Sequence, residues 1–323
     1  MEPEEKPFPD AAEAVHTEPA QAAETGTQPA DGEPALFQSW EHPNYVLSPR
    51  VPLHSERTPN FGHFCILLLI LLVGWICVGV LARISLHYHL FGVQNTSQME
   101  SHPQMLLAIQ AVLYLLTLAG CVLFFPLVWQ KPFLAGIHWN ARIAFRFRLR
   151  LLAAAGLCFV LAMLNGILLP GPTNAPIDKI IKAPGVAWLM FVFGTTFAPL
   201  FEEIGFRGFL LPMFCTAIDW LREMAYGHLP LRNCHNGHPR WTLPAMIGSS
   251  ILTSVPFALI HGDQTGWSLG PFLLLISVSL VLCWIRLSTR SLAASVVVHA
   301  LYNFLLFVLM MIGTGGFQHL DKM

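Results

Sequence analysis

The stretch APLFEEIGFRG, residues 198 to 208, places Glu202, Glu203 and Arg207 in one of the most apolar parts of the chain. Ionisable side chains in such surroundings are costly. Within a membrane segment their default meaning is a functional site whose partners must be found. On a helix, residues four apart share a face, while neighbours diverge by about 100°. Glu203 and Arg207 are four apart, in the favourable acid-before-base order, so they can neutralise one another. Glu202 then has no local cation and is free to act as a general base. Pro199 upstream, with Gly205 and Gly208 around the arginine, predicts a kinked, closely packed helix.

Two further polar intrusions lie downstream. FALIH ends an apolar run with Phe257 and His261 four apart, and VVVHALYNFLLF places His299 and Asn303 four apart inside the last one. Either histidine alone would serve as readily as a packing hydrogen bonder. Together, a carboxylate, two histidines and an asparagine from three helices form the convergent polar group expected of an active site. Glu202 lies about 20 residues before Arg222, and His261 about 20 after Arg240. Antiparallel helices rising about 1.5 Å per residue would bring them to similar height.

The elements that must position these groups are membrane helices. The chain is 54% hydrophobic and 11% charged over 323 residues, which excludes an ordinary soluble domain. Apolar runs span Phe64 to Leu81, Met105 to Trp129, Leu151 to Leu169, Val186 to Leu200, Leu243 to Ile260, Leu269 to Ile285 and Leu292 to Ile312. Several approach the roughly 20 residues that cross a hydrocarbon core. The expected fold is an all-α, polytopic membrane helix bundle of about seven to eight transmembrane helices. Its parts are residues 1–61, an acidic, Pro-rich tail with a membrane-proximal segment; 62–180, N-terminal spans; and 181–315, a catalytic domain.

Charge is segregated along the chain. Glu2, Glu4, Glu5, Asp10, Glu13, Glu18, Glu24, Asp31 and Glu33 crowd the first 34 residues, with Lys6 the only base there. A segment so acidic and poor in aromatics is expected to be disordered. The first apolar run begins beyond residue 60, which fits a retained signal anchor rather than a cleaved signal peptide. Basic residues gather at Lys131 to Arg150, Arg222 to Arg240 and Arg286 to Arg290, on one face if the spans alternate. The positive-inside rule makes that face cytoplasmic. Upright helices then put Glu202 and His261 nearer the outer face. The six cysteines in or beside apolar runs read as small hydrophobes. Cys234, His235 and His238, with His228 nearby, share a polar loop that lacks the spacing of a strong zinc motif. Asn95, in NTS, is a glycosylation acceptor if the host has a secretory pathway.

The set Glu-Glu-x-x-x-Arg, Phe-x-x-x-His and His-x-x-x-Asn, in that order on successive helices, resembles the CPBP intramembrane protease family. This group comprises type II CAAX prenyl endopeptidases and bacterial Abi-type proteins. The resemblance covers residues 185 to 313, and every motif position is filled. It implies that Glu202 and His261 activate water, that His299 and Asn303 stabilise the oxyanion, and that Glu203 and Arg207 hold the helix, with Phe257 beside them. It also implies an endopeptidase acting on membrane-associated substrates, of which prenylated CAAX tails are one class. The expected reaction needs no cofactor. A zinc site built from Glu202, His261 and His299 ranks second, because the histidines do not share one HExxH helix and asparagine is a poor zinc ligand. Alternatives from other classes are a non-catalytic scaffold or bacteriocin-immunity protein, and a proton-coupled transporter. The expected partners are the membrane and a membrane-associated peptide, with no nucleic acid. The expected location is the inner membrane of a bacterium or the endoplasmic reticulum membrane of a eukaryote.

Overall fold

The computed structural model describes residues 59–89, 95–100, 102–172, 175–183, 185–226 and 241–320. The acidic tail and the loop holding Cys234, His235, His238 and His228 lie outside the described residues. Among those described, every regular element is helical and there is no strand. Each of the seven apolar runs forms a principal helix. These are α1 (Phe61–His87), α2 (Pro103–Trp129), α3 (Arg148–Leu168), the composite α4 (Val186–Tyr226), α5 (Leu243–Leu259), α6 (Leu269–Thr289) and α7 (Leu292–Gly313).

Six of the seven are long and apolar enough to cross a membrane, and α5, with 17 residues, is shorter. The expected count of seven to eight spans is therefore met only to six. Local chemistry fixes the ends. Asn60 caps α1 by accepting from the His63 amide at 3.2 Å, while His63 Nδ1 accepts from the Asn60 amide at 3.1 Å. Pro103 opens α2, where a missing N–H is harmless. Buried Asp219 near the end of α4 accepts from the Thr242 amide at 3.2 Å and hydroxyl at 2.6 Å. That pairing fastens α4 to the start of α5.

Among the described residues, the two largest of four core clusters hold the bundle together. One joins α3, α6 and α7 through Leu151, Ala154, Ala155, Cys158, Val278, Leu282, Ala294 and Val298. Small residues let these backbones approach, as helices sharing lipid require. The other surrounds Phe125, Trp129, Phe133 and Phe209, where α1, α2 and the middle of α4 meet. The outward faces carry Leu69, Leu72, Trp75, Leu123, Leu127 and Ile167, all exposed, as a lipid-facing surface demands.

The joint between α3 and α6 tolerates no side chain at Gly270, because a Cβ there would collide with the Leu169 carbonyl oxygen. Gly270→Ala should lower stability by about 1–3 kcal/mol, the usual penalty for overpacking. Gly156→Ala, with nothing within 4 Å of the new carbon, should be neutral or stabilising by up to about 1 kcal/mol. Thermal unfolding of the two variants in the same detergent checks both.

Candidate active site

The polar residues are delivered by an irregular α4. Its first segment, Val186–Thr195, breaks at Thr196 (φ −125°, ψ −73°) and resumes as Phe197–Glu203. Pro199 accounts for the break: a proline ring clashes with the carbonyl four residues back, here that of Thr195. From Ile204 to Leu210 the helix widens into a π-helix, then returns to α over Leu211–Tyr226. In the wide turn the Leu211 amide bonds the Phe206 carbonyl rather than that of Arg207. The next residue, Pro212, has no N–H to offer. The Arg207 carbonyl is thus left without a helical donor, and Arg286 Nε from α6 donates to it at 3.2 Å.

Arg286 is itself buried and also reaches the Ile137 carbonyl at 3.5 Å. It is therefore not one of the solvated loop bases that the charge pattern suggested. Its position near the end of an apolar run disguised it. Pro212, directly after the charged pair and its glycines, was the signal that the helix could not run on in a regular register.

Within this frame the ion pair forms as its spacing predicted. Arg207 Nη1 donates to Glu203 Oε1 at 2.9 Å, and both side chains are 0% exposed. Arg207 Nη2 donates to the hydroxyl of Ser279 at 2.7 Å and to its carbonyl at 3.1 Å. Sequence reasoning missed Ser279, a common residue with no distinguishing pattern. His299 Nδ1 lies 3.0 Å from the same Glu203 oxygen. A carboxylate accepts, so Nδ1 carries the proton and donates.

Glu202 occupies the other face of the turn. Its Oε1 is 3.8 Å from His261 Nε2 and its Oε2 is 3.7 Å from His299 Nε2. His261 Nδ1 lies 2.8 Å from the Phe257 carbonyl, which can only accept, so this nitrogen also carries its proton. In its neutral form His261 therefore turns a bare Nε2 toward Glu202. The Phe257 ring separates the groups: its centroid is 4.5 Å from Arg207 Cζ, 5.0 Å from the His261 ring and 5.9 Å from the His299 ring. Side-chain exposure distinguishes the roles, at 14% for Glu202 and 16% for His261 against none for Glu203 and Arg207.

The structure thus brings together Glu202, Glu203, Arg207, Phe257, His261 and His299. Asn303 stands one turn along α7 from His299, and its Nδ2 donates to the Gly194 carbonyl at 2.8 Å. That bond ties α7 to α4 just before the break.

A shielded ion pair anchors His299, the Phe257 carbonyl anchors His261, and both rings face the carboxylate of Glu202 inside a bundle of apolar helices. Residues 184–305 match the family model described as Type II CAAX prenyl endopeptidase Rce1-like. This match covers all of the motif residues and supports the resemblance to the CPBP/CAAX protease family over that segment. Comparison with curated proteins and with solved structures gives no match. The family is one of proteases, which supports a peptide-bond hydrolase; with six apolar helices of spanning length, it also supports an integral membrane protein.

The geometry separates the two adjacent carboxylates. Glu203→Gln leaves Arg207 buried without its counter-charge and should destabilise the protein by about 3–5 kcal/mol. Glu202→Gln, at the site opening, should change stability by less than about 1 kcal/mol. Thermal unfolding in detergent should show this gap, and equal losses would remove the distinction.

Proposed function

We propose that this chain is an intramembrane endopeptidase in which Glu202 and His261 activate a water molecule, acting on membrane-associated peptides of the prenylated CAAX type. The observation that carries the reading is the convergence of two Nε2 atoms, each on a ring anchored through Nδ1, on the carboxylate of Glu202. Glu202 Oε1 and His261 Nε2 are both acceptors, and 3.8 Å is too long for a direct hydrogen bond. A water between them would donate one hydrogen to each, leaving its lone pairs for a substrate carbonyl.

Attack forms the new C–O bond as a proton passes from the water to the Glu202–His261 pair. The resulting oxyanion needs donors. His299 can supply one from Nε2 when it is the imidazolium, since its Nδ1–H is already given to Glu203. That form balances the two carboxylates against Arg207 and His299. Asn303 keeps a second amide N–H beside the one bonded to Gly194. The proton then moves to the departing amine as the C–N bond breaks. Preorganised donors of this kind are usually the largest catalytic contribution.

The closeness of Glu202, His261 and His299 supports hydrolysis over a proton relay, which would string its groups along a path. Access from the basic end of the bundle fits the register of α7. His299 is seven residues from Leu292, about 10 Å along the helix.

Zinc is the second reading. Anchoring of each histidine through Nδ1 is a habit of metal ligands too. Among the described residues, however, no three His, Cys, Asp or Glu side chains are arranged to hold an ion. The proposed reaction uses protein groups alone, and chelation separates it from the zinc reading.

Two measurements test this. Purified protein should cleave a farnesylated CAAX peptide, and Glu202→Gln should lower the rate at least about 10³-fold while remaining folded; removal of one oxyanion donor by His299→Gln should lower it by about 10²–10³. Exhaustive chelation with parallel metal analysis should leave activity intact. Activity that disappears and returns in proportion to added zinc would transfer the mechanism to the second reading.

A further inference from the structure

The segment ARIAFRFRLR, residues 141 to 150, carries Arg142, Arg146, Arg148 and Arg150 and no acid. Its short helix, Ala141–Arg146, turns at Phe147 directly into α3, and all four arginines are exposed. Among the described residues no carboxylate lies within ion-pair distance of any of them. The segment is held at one end of the bundle: the Ser291 hydroxyl donates to the Asn140 carbonyl at 2.8 Å, and the Leu292 amide donates to the His138 carbonyl at 3.1 Å. It therefore sits where α6 ends and α7 begins.

Apolar side chains are interleaved with these cations. Phe145 is 71% exposed and Leu149 75% exposed, on either side of the turn at Phe147. The guanidinium carbon of Arg148 lies 4.9 Å from the Phe145 ring centroid, and those of Arg150 and Arg146 lie 5.2 Å and 5.8 Å from that of Phe147. Bulk water suits the arginines but not bare Phe145 and Leu149, and hydrocarbon suits the reverse. The boundary layer suits both, with the ring and alkyl chain below the headgroups and the guanidinium forks at phosphate level.

We propose that this segment is a binding site for anionic phospholipid headgroups. The guanidinium groups of Arg142, Arg146, Arg148 and Arg150 bond the phosphate and carboxylate oxygens, while Phe145 and Leu149 enter the acyl boundary. The site is separate from the Glu202 cluster and stands whether or not the chain is a protease. Its four cations outnumber what one zwitterionic headgroup can balance, which selects lipids of net negative charge.

The test is native mass spectrometry of the full chain equilibrated in mixed micelles with equal phosphatidylserine and phosphatidylcholine. The wild type should retain phosphatidylserine at least about tenfold over phosphatidylcholine, and each single Arg→Gln change should reduce that ratio by up to about fivefold. The quadruple variant R142Q/R146Q/R148Q/R150Q should show no preference at an unchanged unfolding temperature. The matching quadruple lysine variant should keep most of the preference, which controls for folding. No preference in the wild type, or an undiminished one in the quadruple glutamine variant, overturns the proposal. So does displacement of the lipid by equimolar inorganic phosphate or by a poly-glutamate peptide, which would assign the arginines to a soluble anion or to an acidic protein segment.

Discussion

The buried pair of Glu203 and Arg207 is the interaction on which the rest of the site depends. Two charges taken out of water carry a desolvation penalty that their attraction offsets only if the remaining donors and acceptors are also used. Arg207 meets that condition in part by directing its second terminal nitrogen to Ser279 of α6, and Glu203 by accepting a second bond at Oε1 from His299 of α7, while Glu203 Oε2 and Arg207 Nε stay buried without a hydrogen-bond partner. The pair therefore fastens three helices at one point. It also fixes the orientation of the His299 ring, since a donor at Nδ1 sets where Nε2 points. A structural ion pair and an oriented histidine are two aspects of one contact.

That contact requires a particular path of the α4 backbone. Adjacent glutamates diverge by about 100° on a regular helix, so one can face the bundle and the other the opening. The wide turn over Ile204–Leu210 then shifts the register of the helix from Leu211 onward, and Pro212 leaves the Arg207 carbonyl without a helical donor. Arg286 supplies the missing donor from α6. Wide turns of this kind recur at functional sites. Here the reason is visible: the same residue presents its side chain to Glu203 and its carbonyl to Arg286. Phe257 completes the arrangement from α5, with its ring against Arg207 and both histidines and its carbonyl holding His261.

Much of this could be read from the sequence because it derives from spacing on a helix. Glu203 with Arg207, and the placement of Phe257 four residues before His261, are periodic relations that any regular helix expresses. The seven apolar runs became seven helices for the same reason. The features that escaped were set by contacts between helices or by departures from regularity. Ser279 acts through where α6 lies, not through any pattern around it. Arg286 looked like a loop base because burial of a cation against backbone carbonyls leaves no trace in composition. The helix runs on past the apolar run ending at Leu200 to Tyr226, as the helical spacing of Glu203 and Arg207 required. Asn303 has the right spacing from His299, yet its bond to Gly194 depends on how α7 crosses α4.

The central claim is that both histidines are anchored through Nδ1, so that each directs Nε2 at Glu202. Solid-state nitrogen NMR of histidine-labelled protein in lipid bilayers measures this directly, with His261→Gln and His299→Gln variants assigning the two rings. The account predicts that His261 bears its proton on Nδ1 with an unprotonated Nε2, and that His299 bears a proton on Nδ1 in every form. A His261 ring protonated on Nε2 alone would contradict it, because the nitrogen facing Glu202 would then be a donor and could not share a water as acceptor.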